Sequence, residues 1–197
     1  SNSNGLSGKP GGGTKIKVYG NFEMDGAGFD SSVAYSYPEI WMVGTGNQTI
    51  TGHYNEWQTW RSGKTQESCY QVNYATVPPT YSPGCTVNAG LWGSIVIDKA
   101  GGQVNLVGGI QLAGNGRFEV VNGTVNAGTS KLISSHPTST HIKAPGVVFN
   151  DLDFINTTYL EDDIRFSGTL TGSPVSTIKC SFSGRHRTFA QGNINLP

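Results

Sequence analysis

The most restrictive feature of this chain is the stretch 93–132, which reads GSIVIDKAGGQVNLVGGIQLAGNGRFEVVNGTVNAGTSKL. Short apolar runs alternate with polar residues in this stretch, and the runs end at Gly or Asn-Gly. Alternation with a period of two predicts strands with one buried face. Gly and Asn reach positive φ at low cost, so their recurrence predicts repeated turns. Strands this short, with no helical segment between them, predict an all-β fold of the parallel β-helix or β-solenoid class.

The same pattern recurs along most of the chain. Clean alternation runs over 14–26 and again over 39–52. Later strands are predicted at 94–98, 104–106, 110–112, 117–121, 124–126, 131–133, 141–143, 147–149, 151–155, 164–166, 176–182 and 188–189. No window of period 3.6 carries caps at both ends, so no helix is predicted. We therefore predict a flexible linker over 1–13 and a solenoid domain over 14–197 with an irregular insert at 53–90, while a β-sandwich of the same strands is the alternative fold.

Charge and hydropathy exclude several functions. The 197 residues include 13 basic and 13 acidic side chains, so the formal net charge is zero. That balance lacks the positive surface that binding to nucleic acid requires. No run of about 20 apolar residues is present, so no membrane insertion is predicted. The first 13 residues have no apolar core of a secretory signal, and we interpret the chain as a processed or excised part of a larger protein.

The segment 53–90 breaks the repeat and carries the candidate binding residues. It holds six large aromatic side chains among charged and amide groups. Aromatic faces flanked by polar groups are suited to holding sugar rings, and loops on a rigid scaffold often carry function. The candidate ligand-binding residues are Trp57, Trp60, Arg61, Tyr70, Tyr74 and Tyr81. The alternative is that these aromatics pack the insert against the solenoid or cap its end, which stability alone would explain.

Cys69 and Cys85 flank a loop rich in Pro and Tyr within this insert. We predict a disulfide between them, worth about 3 kcal/mol through loop-closure entropy, with two unpaired thiols as the alternative. Cys180 lies alone on an apparent strand and is interpreted as a small buried side chain. No Cys-x-x-Cys motif or clustered His accompanies the cysteines, so no metal site is predicted. The four histidines, at positions 53, 136, 141 and 186, are interpreted as surface residues.

Three segments resemble a known class of repeats. They are KIKVYGNFEMDG and IWMVGTGNQTITG, within 14–52, and LWGSIVIDKAGGQVNLVGGIQLAGNGRFEVVNGTVNAG, within 91–133. This order is similar to the Gly- and Asn-rich β-solenoid repeats of Bacteroidetes cell-surface and secreted proteins. A weaker second round covers 147–172. The resemblance implies an adhesin-like repeat protein of the type IX secretion kind, located outside the cell or on its outer surface.

Acidic residues offer alternatives to a pure binding function. Glu161, Asp162 and Asp163 form the densest acidic cluster, with Asp151 and Asp153 nearby. Oxygen ligands at this density could hold Ca²⁺, but the spacing fits no known calcium loop, so a solvated turn and no cofactor are predicted. Glycoside hydrolysis needs two carboxyl groups that face each other across a cleft. Neighbouring residues on an extended strand point to opposite faces, which argues against that chemistry.

The leading hypothesis is a non-enzymatic segment of a secreted or cell-surface structural or adhesive protein. A rigid β-solenoid would display a loop that binds glycans or a protein partner, with avidity from many copies. Other domains of the parent chain or neighbouring subunits are the expected partners, since open solenoid ends expose unpaired strand edges. The alternative is a carbohydrate-active β-helix enzyme, either a polysaccharide hydrolase or a lyase, or a phage tailspike-like protein.

Overall fold

The computed structural model describes residues 14–24, 38–53, 72–73, 80–81, 91–113, 116–134, 139–155, 157–172, 174, 176–180, 188–190 and 192–195. All of the regular secondary structure in these residues is β-strand, which confirms the predicted all-β class. The strands are β1 (Lys15–Val18), β2 (Phe22–Met24), β3 (Glu39–Met42), β4 (Gln48–His53), β5 (Val72–Asn73), β6 (Thr80–Tyr81), β7 (Leu91–Trp92), β8 (Ser94–Ala113), β9 (Arg117–Asn126), β10 (Lys131–Ser134), β11 (Thr140–Lys143), β12 (Val148–Phe149), β13 (Asp151–Phe154), β14 (Thr158–Leu160), β15 (Ile164–Phe166), β16 (Thr169–Gly172), β17 (Ile178–Cys180), β18 (Thr188–Ala190) and β19 (Asn193–Asn195). Over these residues there is accordingly no helix of a length and hydropathy that could cross a membrane.

Parallel pairing arranges the strands in four rows. Row A joins β1, β3, the start of β8, the start of β9, β11, β14 and β17. Row B joins β2, β4, the middle of β8 and the end of β9. Row C joins β7, the end of β8, β10, β13, β16 and β19. Row D joins β12, β15 and β18, while β5 and β6 form a separate antiparallel pair.

The chain returns to the same row at regular intervals. Ile95 pairs with Phe118, Phe118 with Ile142 and Ile142 with Leu160, so successive returns to row A take 23, 24 and 18 residues. Neighbouring strands of a row are thus one circuit of the chain apart, and we call each circuit a coil. Parallel strands in successive coils form a curled sheet, which is compatible with the predicted β-helix. The antiparallel strands of a sandwich do not occur in rows A to D.

Inward-facing side chains stack in columns along the rows. The row A column consists of Ile40, Ile95, Phe118, Ile142 and Leu160. The row C column consists of Ile110, Leu132, Leu152 and Leu170. All nine side chains are buried, and burial of each one stabilises the fold by about 1.5–3 kcal/mol. Because the apolar residue recurs at this position in each coil, alternation in the sequence is enough to put one face of each strand in the core.

The glycine-rich stretch forms longer strands than the sequence predicts. β8 and β9 each run through corners of the coil as one strand, and their mutual pairing shifts register between Ile97 and Gln103 and then resumes. The turns occur where they are predicted, since Gly102 and Gly108 have φ of 66° and 73° and Gly123 has φ of 100°. The prediction of separate short strands was wrong because the extended chain continues through the corners, with an irregularity in the pairing and not an end of the strand. A Cβ on Gly108 would also run into the Gly52 carbonyl oxygen, so the close approach of two coils requires glycine there.

Polar side chains tie neighbouring coils together at the ends of strands. Asn21, Asn47 and Asp151 each accept, through Oδ1, the backbone N–H of their register partner one coil further on, at 2.9, 3.1 and 2.7 Å. Backbone N–H groups need such partners wherever the ladder of backbone bonds is interrupted. The Asn and Asp residues at these corners therefore have a structural role.

A polar pair lies inside the coil stack. Lys99 is 3% exposed, and its Nζ donates to Gln48 Oε1 at 2.7 Å. Gln48 is 1% exposed, and its Nε2 donates to the carbonyl oxygens of Val18 and Gly20 at 2.9 and 2.6 Å. These bonds join three successive coils, those of β1, β4 and β8. The cationic amino group is thus held in the interior by an amide oxygen.

Strands β4 and β7, on either side of the predicted insert, pair with the same neighbouring strand, β8. His53 pairs with Gly109, and Leu91 pairs with Leu112. The β8 residues that pair with His53 and with Leu91 are therefore only three residues apart. Between β4 and β7 the structure describes the antiparallel pair of β5 and β6. The predicted linker over 1–13 lies outside the described residues.

Candidate functional site

Outward-facing polar and aromatic side chains of row A lie on both sides of β8 and are called the outer row from here on. Strand residues alternate between faces, so the buried residues of the row A column are flanked by side chains on the opposite face. The outer row consists of Lys15, Lys17, Glu39, Trp41, Arg117, Glu119, His141, Lys143, Tyr159, Glu161 and Lys179. Successive coils lie about 4.8 Å apart, and the step from Trp41 to Glu119 spans two coils, because the residues of β8 on this face, Ser94 and Val96, are buried.

Trp41 is the aromatic centre of the first part of the outer row. The Lys15 amino group lies 4.0 Å from the centre of the indole ring, which is a cation–π arrangement. The indole Nε1–H donates to Glu39 Oε2 at 2.9 Å. Trp41 is only half-buried, so a ring held by two neighbours still presents part of its surface to solvent.

Arg117 connects the coils in the middle of the outer row. Its guanidinium group donates to Glu39 Oε1 at 2.9 Å and to Glu119 Oε2 at 3.0 Å. Glu119 also pairs with Lys143 at 3.3 Å. The strand between Arg117 and Glu39 is β8, whose Ser94 hydroxyl accepts the Arg117 backbone N–H at 3.1 Å and is buried beneath this span. Ion pairs at a surface are each worth only about 0.2–1 kcal/mol, so the main effect of this network is to fix the side chains in place.

A second aromatic group lies at the other end of the outer row. The His141 ring stacks on Tyr159 with 4.8 Å between ring centres and 11° between ring planes. His141 Nδ1–H donates to Glu161 Oε1 at 2.7 Å, which fixes the orientation of the imidazole. Lys179 Nζ lies 5.4 Å from the centre of the Tyr159 ring. Two parallel rings are thus flanked by a carboxylate on one side and a cation on the other.

The chemistry of the outer row suits binding better than bond cleavage. Ring faces can stack on the C–H face of a sugar, and fixed charged groups can hydrogen-bond to its hydroxyls. Glu39, Glu119 and Glu161 all accept hydrogen bonds from other members of the outer row. In the part of the chain that the structure describes, no group of three His, Cys, Asp or Glu side chains is placed to hold a metal ion.

Five of the six ligand-binding residues predicted from the sequence, and both cysteines of the predicted disulfide, lie outside the described residues: Trp57, Trp60, Arg61, Tyr70, Tyr74, Cys69 and Cys85. The sixth, Tyr81, belongs to β6, where its backbone pairs with Val72. Cys180 lies in β17, in register with Leu160 of the row A column. The binding site in the insert and its disulfide therefore stay predictions.

Three of the acidic residues singled out in the sequence, Glu161, Asp162 and Asp151, accept hydrogen bonds. Glu161 belongs to the outer row, and Asp162 accepts the backbone N–H of Asp163 at 2.7 Å in the turn between β14 and β15. Asp151 accepts a backbone N–H of the next coil. His141, interpreted from the sequence as a surface residue, is partly exposed but is held by a carboxylate and an aromatic ring.

Sequence reasoning missed the outer row because its members are far apart in the chain. Glu39 and Arg117 are 78 residues apart, and His141 and Glu161 are 20 apart. Local motifs cannot reveal such neighbours. Aligning the coils on their buried positions would have placed these side chains on one face, since each follows or precedes a residue of the row A column.

Comparison with known proteins identifies no relative. No family model, no curated protein and no solved structure matches this chain. The case for a function therefore depends on the coil arrangement and on the outer row.

Proposed function

We propose that this chain is a β-solenoid segment of a secreted or cell-surface protein and that it binds an extended polysaccharide along the outer row. One observation carries the proposal: aromatic rings and charged side chains are fixed to one another across successive coils on a single face. A binding surface on a stack of coils suits display and adhesion without catalysis. The resemblance of 14–52 and 91–133 to surface-protein repeats supports an extracellular location.

An extended ligand matches the length of the outer row. Trp41 and Tyr159 are separated by four strand steps in row A, which is about 19 Å at the usual strand spacing. Sugar rings at two points of one polymer can contact the solvent-exposed parts of these two side chains, with Arg117 between them as a hydrogen-bond donor. Several weak contacts along one polymer then act together as a multivalent interaction.

Rigidity is what the coils contribute to binding. Backbone hydrogen bonds join each strand of row A to its neighbours, and the buried columns fill the space behind them. Outward side chains on such a surface lose little freedom when a ligand binds, which lowers the entropic cost of association. The predicted insert at 53–90, with Trp57 and Trp60, is a second surface that the same scaffold would display.

Retention on an array of immobilised polysaccharides, read also for shortened products, tests this proposal. We expect the wild-type chain to be retained on an extended polysaccharide and to release no products. Trp41→Ala is expected to weaken retention about tenfold, because it removes a stacking surface worth about 1.4 kcal/mol. Tyr19→Ala is the matched control, since Tyr19 is an aromatic residue that is 73% exposed and lies outside the outer row.

Three outcomes would contradict the proposal. Retention lost in Trp57→Ala or Trp60→Ala but not in Trp41→Ala would move the binding site to the insert. Shortened products would favour the polysaccharide hydrolase or lyase. Absence of retention on every polysaccharide would leave a protein partner as the ligand of this scaffold.

A further inference from the structure

The outer row carries an excess of positive charge that the chain as a whole does not have. Its cationic side chains are Lys15, Lys17, Arg117, Lys143 and Lys179, against the three carboxylates of Glu39, Glu119 and Glu161. The complete chain has 13 side chains of each sign. Charge is therefore distributed unevenly, with one face of the coil stack positive.

Each of the three carboxylates accepts a hydrogen bond within the outer row, and two of them, Glu39 and Glu119, pair with cations there. Glu39 and Glu119 share the Arg117 guanidinium group, and Glu119 also pairs with Lys143. Glu161 accepts the His141 Nδ1–H. A ligand that approaches this face thus meets few uncompensated negative charges.

The remaining cations lie at the two ends of the outer row. Lys15 and Lys17 belong to β1, and Lys179 belongs to β17. The structure pairs Lys15 with the Trp41 ring and Lys179 with the Tyr159 ring, and it shows no carboxylate within ion-pair distance of these three amino groups among the described residues. Row A has six strand steps between β1 and β17, so the two ends are about 29 Å apart.

We propose that the polysaccharide bound by the outer row is acidic, with carboxylate or sulfate groups that pair with Lys15, Lys17 and Lys179. This inference rests on the proposed function and adds the class of ligand. Sugar rings would contact the solvent-exposed parts of Trp41 and Tyr159, while the lysines beside those rings contact acidic groups on the same or the next sugar. A cation placed over an aromatic ring is well positioned for a ligand that offers both a ring face and a charge. Each exposed ion pair is weak, so the preference depends on several of them along one polymer.

The test compares a polyuronate with the same polymer after reduction of its carboxyl groups, and a sulfated glucan with its unsulfated parent. The full wild-type chain is titrated against each immobilised polymer at low and at high salt. We expect the acidic form to bind about tenfold more tightly than its neutral partner at low salt, since three exposed ion pairs together supply that factor. High salt should remove most of the difference, because exposed charges are screened. The polymer pair that shows the larger difference identifies carboxylate or sulfate as the preferred group.

Substitutions test whether the preference for the acidic polymer arises from the outer row. Lys17→Gln and Lys179→Gln are each expected to weaken binding of the acidic polymer by about threefold, with little change for the neutral polymer. Lys131→Gln is the matched control, because Lys131 faces outward from row C. It should leave both affinities unchanged.

The possible failures separate this inference from the proposed function. Equal affinity for acidic and neutral polymers would overturn the inference and leave the proposed function standing. Binding of inorganic polyphosphate as tightly as the acidic polysaccharide would also overturn it, since charge alone would then explain retention. Failure of every polymer to bind would overturn both.

Discussion

The buried pair of Lys99 and Gln48 allows a direct test of how the coils accommodate a polar group. Gln48→Leu keeps the volume of the side chain but removes the acceptor of the Lys99 amino group and two bonds to backbone carbonyl oxygens. The Val18 carbonyl keeps a bond from the Val43 N–H, and Gly20 is exposed to water, so most of the cost falls on the amino group. A buried cation that loses its partner costs more than a neutral group does. We expect the free energy of unfolding to fall by about 3 kcal/mol.

The reciprocal variant removes the cation and keeps the amide. Lys99→Met leaves only the neutral Gln48 oxygen without its partner, so the expected loss is about 1–2 kcal/mol. In the double variant neither partner is left behind, and Leu and Met fill the space. Its expected loss is below about 1 kcal/mol, so the two substitutions should couple by at least about 3 kcal/mol.

Urea unfolding followed by far-ultraviolet circular dichroism measures these differences. The midpoints can be compared if the denaturant slope is the same for all four chains. Losses that simply add in the double variant would refute the reasoning, because they would show that the two side chains act independently. A Gln48→Leu chain as stable as the wild type would refute it as well.

Two further pairs of substitutions test the corners of the coil. Asp151→Ala removes the acceptor of the Thr169 N–H and should lower the free energy of unfolding by about 1–2 kcal/mol. Asp153→Ala, at the next outward position of β13, is the control and should change it by less than about 0.5 kcal/mol. Urea midpoints measure both changes, and equal losses would contradict the coil-to-coil bond. Gly123→Ala places a methyl group on a residue with φ of 100°, 3.0 Å from the neighbouring Lys99 Cβ, so thermal unfolding should show a loss of about 2 kcal/mol in stability. Gly46→Ala, where an added Cβ meets nothing within 4 Å, is the control and should be close to neutral. A Gly123→Ala chain as stable as the wild type would contradict the requirement for glycine.

The strands of the glycine-rich repeats could be predicted because burial of one face needs only an apolar residue at every second position. Phe118 and Val120 illustrate this, since both are buried in row A while Glu119 between them lies on the outward face. Strands β14, β16 and β19 were not predicted. They read TYL, TLTG and NIN, which are too short and too polar for a periodic signal. They are strands because the preceding coil supplies a row of hydrogen-bonding partners, a tertiary effect that overrides local preference.

The outer row was not predicted from motif spacing because the length of a coil is not constant. Returns to row A take 23, 24 and 18 residues, since the corners differ in length. No fixed offset in the sequence therefore connects Glu39 with Arg117, or His141 with Glu161. The interior bond between Lys99 and Gln48 spans 51 residues and was missed for the same reason.

The most direct test of the central claim is the affinity of the wild-type chain for oligosaccharides of increasing length, cut from the polysaccharide that the array retains. If the ligand lies along the outer row, affinity should increase until the oligosaccharide spans at least the distance of about 19 Å from Trp41 to Tyr159, and level off once it spans the distance of about 29 Å from β1 to β17. Trp41→Ala should abolish the increase in affinity with oligosaccharide length, while the affinity for the shortest oligosaccharide that binds at Tyr159 stays unchanged. An affinity that is already maximal for one or two sugar rings, and that Trp41→Ala leaves unchanged at every length, would contradict the account.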